Sequence, residues 1–258
     1  MSFDILQDKI LALRNPTVVG LDPRPDSIPK HILDRHTAEK GETLEAAADA
    51  FLEFNRGLID ALCDIVAAVK PQSAFYELLG PAGVAALKKT ADYARAKGLY
   101  VIGDLKRGDI GSTAEAYAEA YLGGVRIGGS ELVPFGFDAV TVNAYLGSDG
   151  VRPFLETSKR TDKALFVLVK TSNHSSAELQ DLDVGERKLY AVMGDLMAEL
   201  SKQTAGRHGY TRVGAVVGAT YPEELRLLRD RLRATFFLVP GYGAQGGDAG
   251  GLVVRELG

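Results

Sequence analysis

The sequence predicts an α/β fold, specifically a (β/α)8 TIM barrel in which helices cover a sheet of parallel strands. Short apolar runs alternate with helical patterns along the whole chain. These runs lack the polar alternation of a strand with one exposed face, so we expect them to be buried on both faces, as parallel strands are. The chain length of 258 residues suits a closed barrel. A doubly wound open sheet is the alternative.

Seven short apolar runs are the candidate strands of this barrel. They are residues 17–21, 67–71, 99–104, 138–143, 164–170, 213–218 and 235–239. Strand eight is not evident, because only the loop 240–251 and the tail LVVRELG follow the seventh run. A barrel left open would expose sheet edges. We therefore expect either that the chain continues past Gly258 or that the fold is completed in another way.

Helical patterns fill the intervals between these runs. One apolar face with spacings of three and four residues spans 51–65, and a second spans 190–200. Ser112 begins a capping-box pattern, which predicts a helix from about Thr113. Pro222 has the position of a first-turn proline in a later helix.

The segment 22–43 interrupts the alternation of strands and helices. It is polar and contains three prolines, and we interpret it as an insertion over one end of the barrel. No linker or low-complexity segment occurs elsewhere, so residues 1–258 are expected to form a single domain.

The composition excludes several classes of protein. Hydrophobic residues make up 46% of the chain and charged residues 25%, which is typical of a folded domain rather than a disordered one. The formal net charge of −4 argues against a general nucleic-acid-binding surface. No apolar run reaches the length of a membrane span, the N-terminus has no apolar signal core, and the one cysteine cannot form a disulfide within the chain. These observations predict a cytoplasmic protein with neither nucleic acid nor a membrane as partner.

Charged side chains cluster where the candidate strands end. The stretch GDLKRGDIGST, residues 103–113, ends the third strand with alternating acids and bases. The carboxyl ends of barrel strands meet at one face, so Asp22, Lys70, Asp104 and Lys106 should converge there. Asp104 and Lys106 are two residues apart and would point the same way in an extended segment, with Asp109 in the following turn. A lysine between carboxylates stays protonated and can donate a proton, although a structural ion pair would give the same pattern.

A glycine-rich loop, GYGAQG, occupies residues 241–246 after the seventh strand. It matches the pattern G-x-G-x-x-G, but too few residues follow for the acidic residue that a dinucleotide-binding fold places about 20 positions later. Its backbone N–H groups could instead bind a phosphate, with Gln245 donating an amide hydrogen bond, or it could be a plain turn. The four histidines lack metal-ligand spacing, so we expect no metal site.

The polar stretch 171–185 follows the fifth strand and begins with Thr171, Ser172 and Asn173. It has no strong hydrophobic periodicity. A stretch of this kind can form a lid that closes on a substrate, and a mobile connection without function is the alternative.

Several motifs together resemble the orotidine 5′-phosphate decarboxylase family, in its longer bacterial type 2 group. They are VGLDPRPD (19–26), VKPQSAFYE (69–77), DLKRGDIGST (104–113), TVNAYLGSDGVRPFL (141–155), LVKTSN (168–173), VVGATYPEEL (216–225) and VPGYGAQGGD (239–248). The resemblance implies a (β/α)8 barrel that acts as a homodimer. It also implies conversion of orotidine 5′-monophosphate to UMP and CO2 in pyrimidine biosynthesis, without metal or organic cofactor.

The resemblance implies a catalytic network of alternating charge, formed by Lys70, Asp104, Lys106 and Asp109. Lys106 would protonate C6 of the pyrimidine as CO2 leaves, and Asp104 would lie against the substrate carboxylate. This division of labour is physically sensible, because a fixed ammonium can stabilise a carbanion as it develops and then supply the proton.

The resemblance also implies how the substrate is bound. Asp22 would hold ribose hydroxyls together with Lys70, Ser172 would bind the pyrimidine, and Gln245 would bridge to the phosphate. Asp109 would be contributed in trans by the partner subunit. Further substrate contacts are implied for Ile110, Gly243 and Thr113, the last also from the partner.

Two features depart from the family pattern. The family's phosphate-binding arginine lies beyond the glycine loop, where this chain offers Arg255 as a candidate by position only, and His174 to Ser176 replace the expected proline and glycine. Two alternatives therefore stay open. One is a magnesium-dependent sugar-phosphate decarboxylase or hexulose-phosphate synthase, which shares the D-x-K-x-x-D core, and the other is a catalytically silent nucleotide-binding barrel.

Overall fold

The structure is a computed structural model that describes residues 2–241. The strands of its main sheet follow one another in chain order. The strands are β1 (Val18–Leu21), β2 (Ala68–Pro71), β3 (Tyr100–Arg107), β4 (Val125–Ile127), β5 (Ser130–Leu132), β6 (Ala139–Val142), β7 (Ala164–Lys170), β8 (Asp183–Val184), β9 (Arg187–Lys188), β10 (Val213–Val217) and β11 (Phe237–Leu238). The main sheet has the order β1-β2-β3-β6-β7-β10-β11, whereas β4–β5 and β8–β9 are antiparallel hairpins. This order never reverses, as expected for a (β/α)8 barrel and not for a doubly wound sheet.

All seven predicted strand positions are confirmed, because each contains one strand of the main sheet. The residues of β6 and nearly all those of β7 and β10 are buried, as two-sided burial of a parallel strand requires. The prediction that strand eight is not evident concerns the residues after β11, of which 242–258 lie outside the described part of the chain.

Helices precede the sheet and connect its strands. They are α1 (Ser2–Leu13), α2 (Lys30–Lys40), α3 (Leu44–Leu62), α4 (Ser73–Glu77), α5 (Gly80–Ala96), α6 (Gly111–Tyr121), α7 (Ser148–Thr161), α8 (Ala177–Gln180), α9 (Leu189–Ser201) and α10 (Pro222–Arg231). Short 3-10 turns occupy His174–Ser176 and Lys202–Thr204. Among residues 2–241, none of these helices has both the length and the apolar character needed to cross a membrane.

The predicted helical patterns correspond to α3, α6, α9 and α10, with one correction. The apolar face assigned to 51–65 extends too far, because α3 ends at Leu62 and Ile65 is exposed. Within α3 the buried face includes Phe51, Asn55 and Ile59, so a polar residue shares the inward face. Asn55 tolerates this position because its amide donates to the Tyr76 hydroxyl at 2.8 Å.

The described chain forms two compact units. The first comprises residues 2–105 and 116–140 and contains the parallel pairs β1–β2 and β2–β3. Its core includes a T-shaped contact of Phe51 with Tyr76 and a stack of Phe135 on Phe137. Gly103 lies so close to the Phe137 ring that a Cβ there would be 2.7 Å from Cδ2, so β3 needs a glycine at this point.

The segment 22–43, which belongs to the first unit, contains a helix that the sequence did not predict. Only Ile32 of α2 is buried, because most residues of this helix are polar or charged. Arg35 and His36 both contact the Glu53 carboxylate on α3, and Lys40 contacts Asp49. Ion pairs and hydrogen bonds therefore make up much of the contact between α2 and α3.

The second unit comprises residues 106–115 and 141–241 and contains the parallel pairs β7–β10 and β10–β11. Its helices α9 and α10 bury Tyr190, Leu225 and Leu228 against Val169 and Val217 of the strands. The strands of this unit are thus fixed by aliphatic packing, which leaves their carboxyl ends to carry polar residues.

Candidate active site

The ends of β2 and β3 bring two predicted site residues into direct contact within the first unit. The Lys70 ammonium donates to Asp104 Oδ2 at 2.8 Å, and both side chains are largely buried. Pro71 ends β2, and Gln72 then pairs with Asp104 in an isolated parallel bridge. The alternation of a strand places Lys70 and Gln72 on the same face, because they are two residues apart.

Gln72 donates its amide Nε2 to the same Asp104 Oδ2 at 3.0 Å. Asp104 is only 5% exposed, so its carboxylate has lost most of its hydration. An ammonium and an amide replace that hydration, which is the condition for keeping a buried carboxylate charged. Two donors therefore meet on one oxygen of this buried carboxyl group.

Asp22 follows the end of β1 in the same unit and is exposed. The preceding carbonyl, that of Leu21, accepts a hydrogen bond from the Tyr76 hydroxyl at 3.2 Å. Burial raises the pKa of Tyr76, and the nearby Asp22 charge acts in the same direction, so the hydroxyl keeps its proton for this bond. The carboxylate of Asp22 therefore projects from a backbone that is fixed from inside the core.

Lys106 lies in the second unit, where its backbone departs from the predicted extended form. Its φ is +50°, in the left-handed region that residues other than glycine seldom adopt. Its N–H donates to the buried hydroxyl of Thr141 at 2.9 Å, which helps to fix this conformation. The predicted extended backbone therefore does not hold at Lys106. The Lys106 side chain is exposed.

Asp109, Ile110 and Thr113 lie in the turn after β3 and the start of α6. Asp109 is partly buried, and its Oδ1 accepts the Ile110 N–H at 2.8 Å, whereas Ile110 and Thr113 are exposed. Gly108 precedes them and packs on the Asn143 carbonyl oxygen, from which a Cβ would be only 2.7 Å away. This close approach fixes where the turn leaves the strand.

Ser172 is partly buried in the second unit, near the end of β7. Its backbone packs on Gly218, where an added Cβ would meet the Ser172 backbone nitrogen at 2.9 Å, and its carbonyl accepts from Thr220 Oγ1 at 3.4 Å. The predicted phosphate-binding residues Gln245 and Gly243, and Arg255, lie outside the described residues.

Sequence reasoning missed two residues that hold these groups, Gln72 and Thr141, and one buried lysine elsewhere, Lys170. Gln72 had a signal, because it follows Lys70 by two residues on a strand end, but it carries no charge. Thr141 had none, since a threonine within an apolar run is common in strands. Lys170 ends the fifth apolar run, and the structure buries its side chain completely and pairs it with Asp181 at 2.6 Å.

The chemistry that these residues can perform is electrostatic and acid–base. In the first unit, Lys70 and Asp104 present a pair of opposite charges in direct contact. In the second unit, Lys106 presents an exposed side chain. In the part of the chain that the structure describes, no group of three or more His, Cys, Asp and Glu side chains is arranged to hold a metal ion. A buried carboxylate beside a lysine is suited to binding or stabilising a charged small molecule.

Comparison with known proteins identifies the family. The profile of the orotidine 5′-phosphate decarboxylase / HUMPS family matches residues 18–258. The orotidine 5′-phosphate decarboxylase of Rhodopirellula baltica is 46% identical over 95% of this chain and 79% of its own length, and that of Caldicellulosiruptor bescii is 42% identical over 95% and 80%.

Solved structures agree with the sequence matches. A protein from Toxoplasma gondii superposes with a TM-score of 0.79 at 36% identity, over 95% of this chain and 80% of its own. The OMP decarboxylase of Leishmania donovani gives a TM-score of 0.70 at 36% identity, over 93% and 80%. These matches confirm the predicted (β/α)8 barrel class. In the described residues, the main sheet has seven strands. The chain therefore belongs to the orotidine 5′-phosphate decarboxylase / HUMPS family.

Proposed function

We propose that this chain is a carboxy-lyase that converts orotidine 5′-monophosphate to UMP and CO2, the last step of de novo UMP synthesis. The names of its relatives support this reaction, and the buried Lys70–Asp104 pair is the observation that carries it. A rigid pair of opposite charges at the strand ends is what a reaction that moves negative charge requires.

The proposed mechanism divides the chemistry between Asp104 and Lys106. Asp104 lies against the carboxylate of the substrate, where two like charges repel until CO2 leaves. Loss of CO2 leaves an electron pair on C6 of the pyrimidine, and the Lys106 ammonium stabilises this charge and then transfers a proton to C6. Lys70 and Gln72 donate hydrogen bonds that hold the Asp104 carboxylate in place while the substrate binds.

Substrate binding is assigned to the surrounding residues. Asp22 and Lys70 hold the ribose hydroxyls, and Ser172 binds the pyrimidine. The exposure of Asp22 and its firmly held backbone support its role. Gln245 and Gly243 are proposed to bind the phosphate, whose binding energy can contribute to catalysis through loop closure.

A homodimer is proposed in which Asp109 and Thr113, in the turn after β3 and at the start of α6, act at the site of the partner subunit. Ile110, in the same turn, is proposed as a further substrate contact. In the second unit, exposed apolar side chains accompany this turn, since Ile110 and Leu146 are about half exposed and Tyr145 is 74% exposed. Large apolar side chains are enriched at the centre of protein interfaces, which supports association of two copies there.

We assign the reaction no metal or organic cofactor and place the protein in the cytoplasm, with neither nucleic acid nor membrane as partner. The Lys70 ammonium supports a metal-free site, because it already supplies a cationic partner to Asp104. The magnesium-dependent sugar-phosphate enzyme and the silent nucleotide-binding barrel are the competing functions.

One assay separates these functions. The purified protein is mixed with orotidine 5′-monophosphate in excess chelator, and the loss of substrate absorbance is followed, with Lys106→Ala as the control. Turnover by the wild type alone supports the proposal. Turnover that requires added magnesium would favour the competing enzyme class, and tight UMP binding without CO2 release would favour the silent barrel.

A further inference from the structure

Lys170 is a fully buried lysine that the proposed reaction does not use. It ends β7, and its side chain has 0% exposure. The ammonium donates to Asp181 Oδ1 at 2.6 Å and lies 3.5 Å from Ser176 Oγ. Two aromatic rings complete the surroundings, with the Tyr221 centroid 4.4 Å and the Tyr190 centroid 5.6 Å from Nζ.

These surroundings join the end of β7 to the segment that follows it. Ser176 and Asp181 both belong to that segment. The segment leaves β7 at Lys170 and then folds back, so that these two side chains contact the Lys170 ammonium. A buried ion pair is a weak source of stability, since an apolar pair of similar volume often serves as well. What the ion pair adds is a fixed position for the segment.

Neutral hydrogen bonds fix the same segment at its base. The Thr171 N–H donates to Gln180 Oε1 at 2.9 Å, and the Gln180 amide donates back to Thr171 Oγ1 at 2.7 Å. The Tyr221 hydroxyl, whose ring faces the Lys170 ammonium, donates to the Asn173 carbonyl at 3.4 Å. Ser172 therefore lies between Thr171, which is held by Gln180 of the returning segment, and Asn173, which is held by Tyr221.

We propose that Lys170 is a positioning residue, whose buried ammonium holds Asp181 and thereby fixes Ser172 for contact with the pyrimidine ring. The inference rests on the proposed function, because that function assigns the pyrimidine contact to Ser172. Lys170 itself touches no substrate in this scheme. Its effect should therefore appear in substrate affinity more than in the rate of the chemical step.

The test compares Asp181→Asn with a matched control, Asp183→Asn. Asp183 also pairs with a lysine at 2.7 Å, Lys188, but that pair is exposed. We expect Asp181→Asn to raise KM for orotidine 5′-monophosphate and Kd for UMP by about tenfold, as loss of a charge-assisted hydrogen bond does, with kcat changed by less than about threefold. Asp181→Glu should restore part of the affinity, and Asp183→Asn should leave both constants unchanged.

A second measurement is independent of turnover. Arg187 is an exposed site for trypsin just beyond Asp181, and it pairs with Asp195 rather than with Asp183. Cleavage after Arg187 should accelerate in Asp181→Asn but not in Asp183→Asn. Equal cleavage rates, or a wild-type KM and UMP affinity in a folded Asp181→Asn protein, would overturn the proposal.

The double variant Lys170→Met/Asp181→Leu covers the case in which Asp181→Asn does not fold. It removes both charges and keeps apolar volume, so it should fold and still show the raised KM and faster cleavage. A double variant with wild-type values in both assays would refute the positioning role. If the wild type itself shows no turnover, the proposed function fails, and the cleavage rates still decide whether Lys170 fixes the segment.

Discussion

Replacing Gln72 tests the buried carboxylate most directly, because its amide and the Lys70 ammonium share one oxygen of Asp104. Gln72→Leu removes the amide donor and leaves the ion pair. Gln72→Glu keeps the shape of the side chain but replaces the donor with a second carboxylate. The two variants therefore separate the loss of a hydrogen bond from the introduction of a like charge.

The structure allows the size of each effect to be worked out. A hydrogen bond to a charged group contributes about 1.5–3 kcal/mol, so Gln72→Leu should lower kcat/KM by about 10- to 100-fold. In Gln72→Glu, two charges about 3 Å apart would repel by about 5 kcal/mol at an effective dielectric constant of about 20. This repulsion raises the pKa of the introduced carboxyl, which can then bind a proton. The protonated carboxyl donates a hydrogen bond as the amide does, so activity should recover as the pH falls.

The assay is the pH profile of kcat/KM for orotidine 5′-monophosphate, measured between about pH 5 and 9. Gln72→Glu should lose activity toward high pH by more than the wild type does, and Gln72→Leu should be impaired across the range. Gln203→Leu, at an exposed glutamine, is the control for the substitution itself. A Gln72→Glu enzyme with the wild-type profile would refute the idea that Gln72 supports the Asp104 carboxylate.

Three further outcomes are expected. Lys106→Ala should abolish turnover, measured by CO2 release, and should leave UMP affinity within about threefold. Alanine and lysine are similarly strained at a positive φ, so only the proton donor is lost. Near-normal turnover would contradict the assigned role. Mixed dimers of Lys106→Ala and Asp109→Ala subunits should regain activity, since one of the two shared sites is then intact, and mixing without recovery would argue against a contribution in trans. Gly103→Ala should lower the free energy of unfolding, measured by denaturation, by about 1–3 kcal/mol through overpacking on Phe137. Gly57→Ala, in open space on α3, should raise this free energy by about 0.5–1 kcal/mol in the same experiment.

The strands were predictable because burial on both faces demands continuous apolar runs, and few other segments of the chain have them. The ends of helices were harder to place. Ile65 continues the apolar spacing of α3 but lies beyond its end and is exposed. The helix α2 was missed for the opposite reason, since it contacts α3 largely through ion pairs and has almost no apolar face to detect.

The convergence of Lys70 and Asp104 was predictable from their positions after two apolar runs, and the structure brings the two side chains into contact. Parallel strands in register bring consecutive strand ends side by side. The roles of Gln72 and Thr141 were not predicted, because a neutral side chain gives no sign of its hydrogen-bond partner in the sequence. The backbone of Lys106 escaped because no glycine or asparagine marks its positive φ, and only the local hydrogen bonds reveal it.

The positive φ of Lys106 means that stability and activity favour different residues at this position. The left-handed conformation of Lys106 is one that glycine adopts without steric strain and that a lysine adopts at a cost of about 1 kcal/mol. Selection for stability alone would therefore replace the residue on which turnover is proposed to depend. A library of variants ranked by thermal tolerance should be enriched in glycine at position 106 and, by the same choice, depleted of working enzyme.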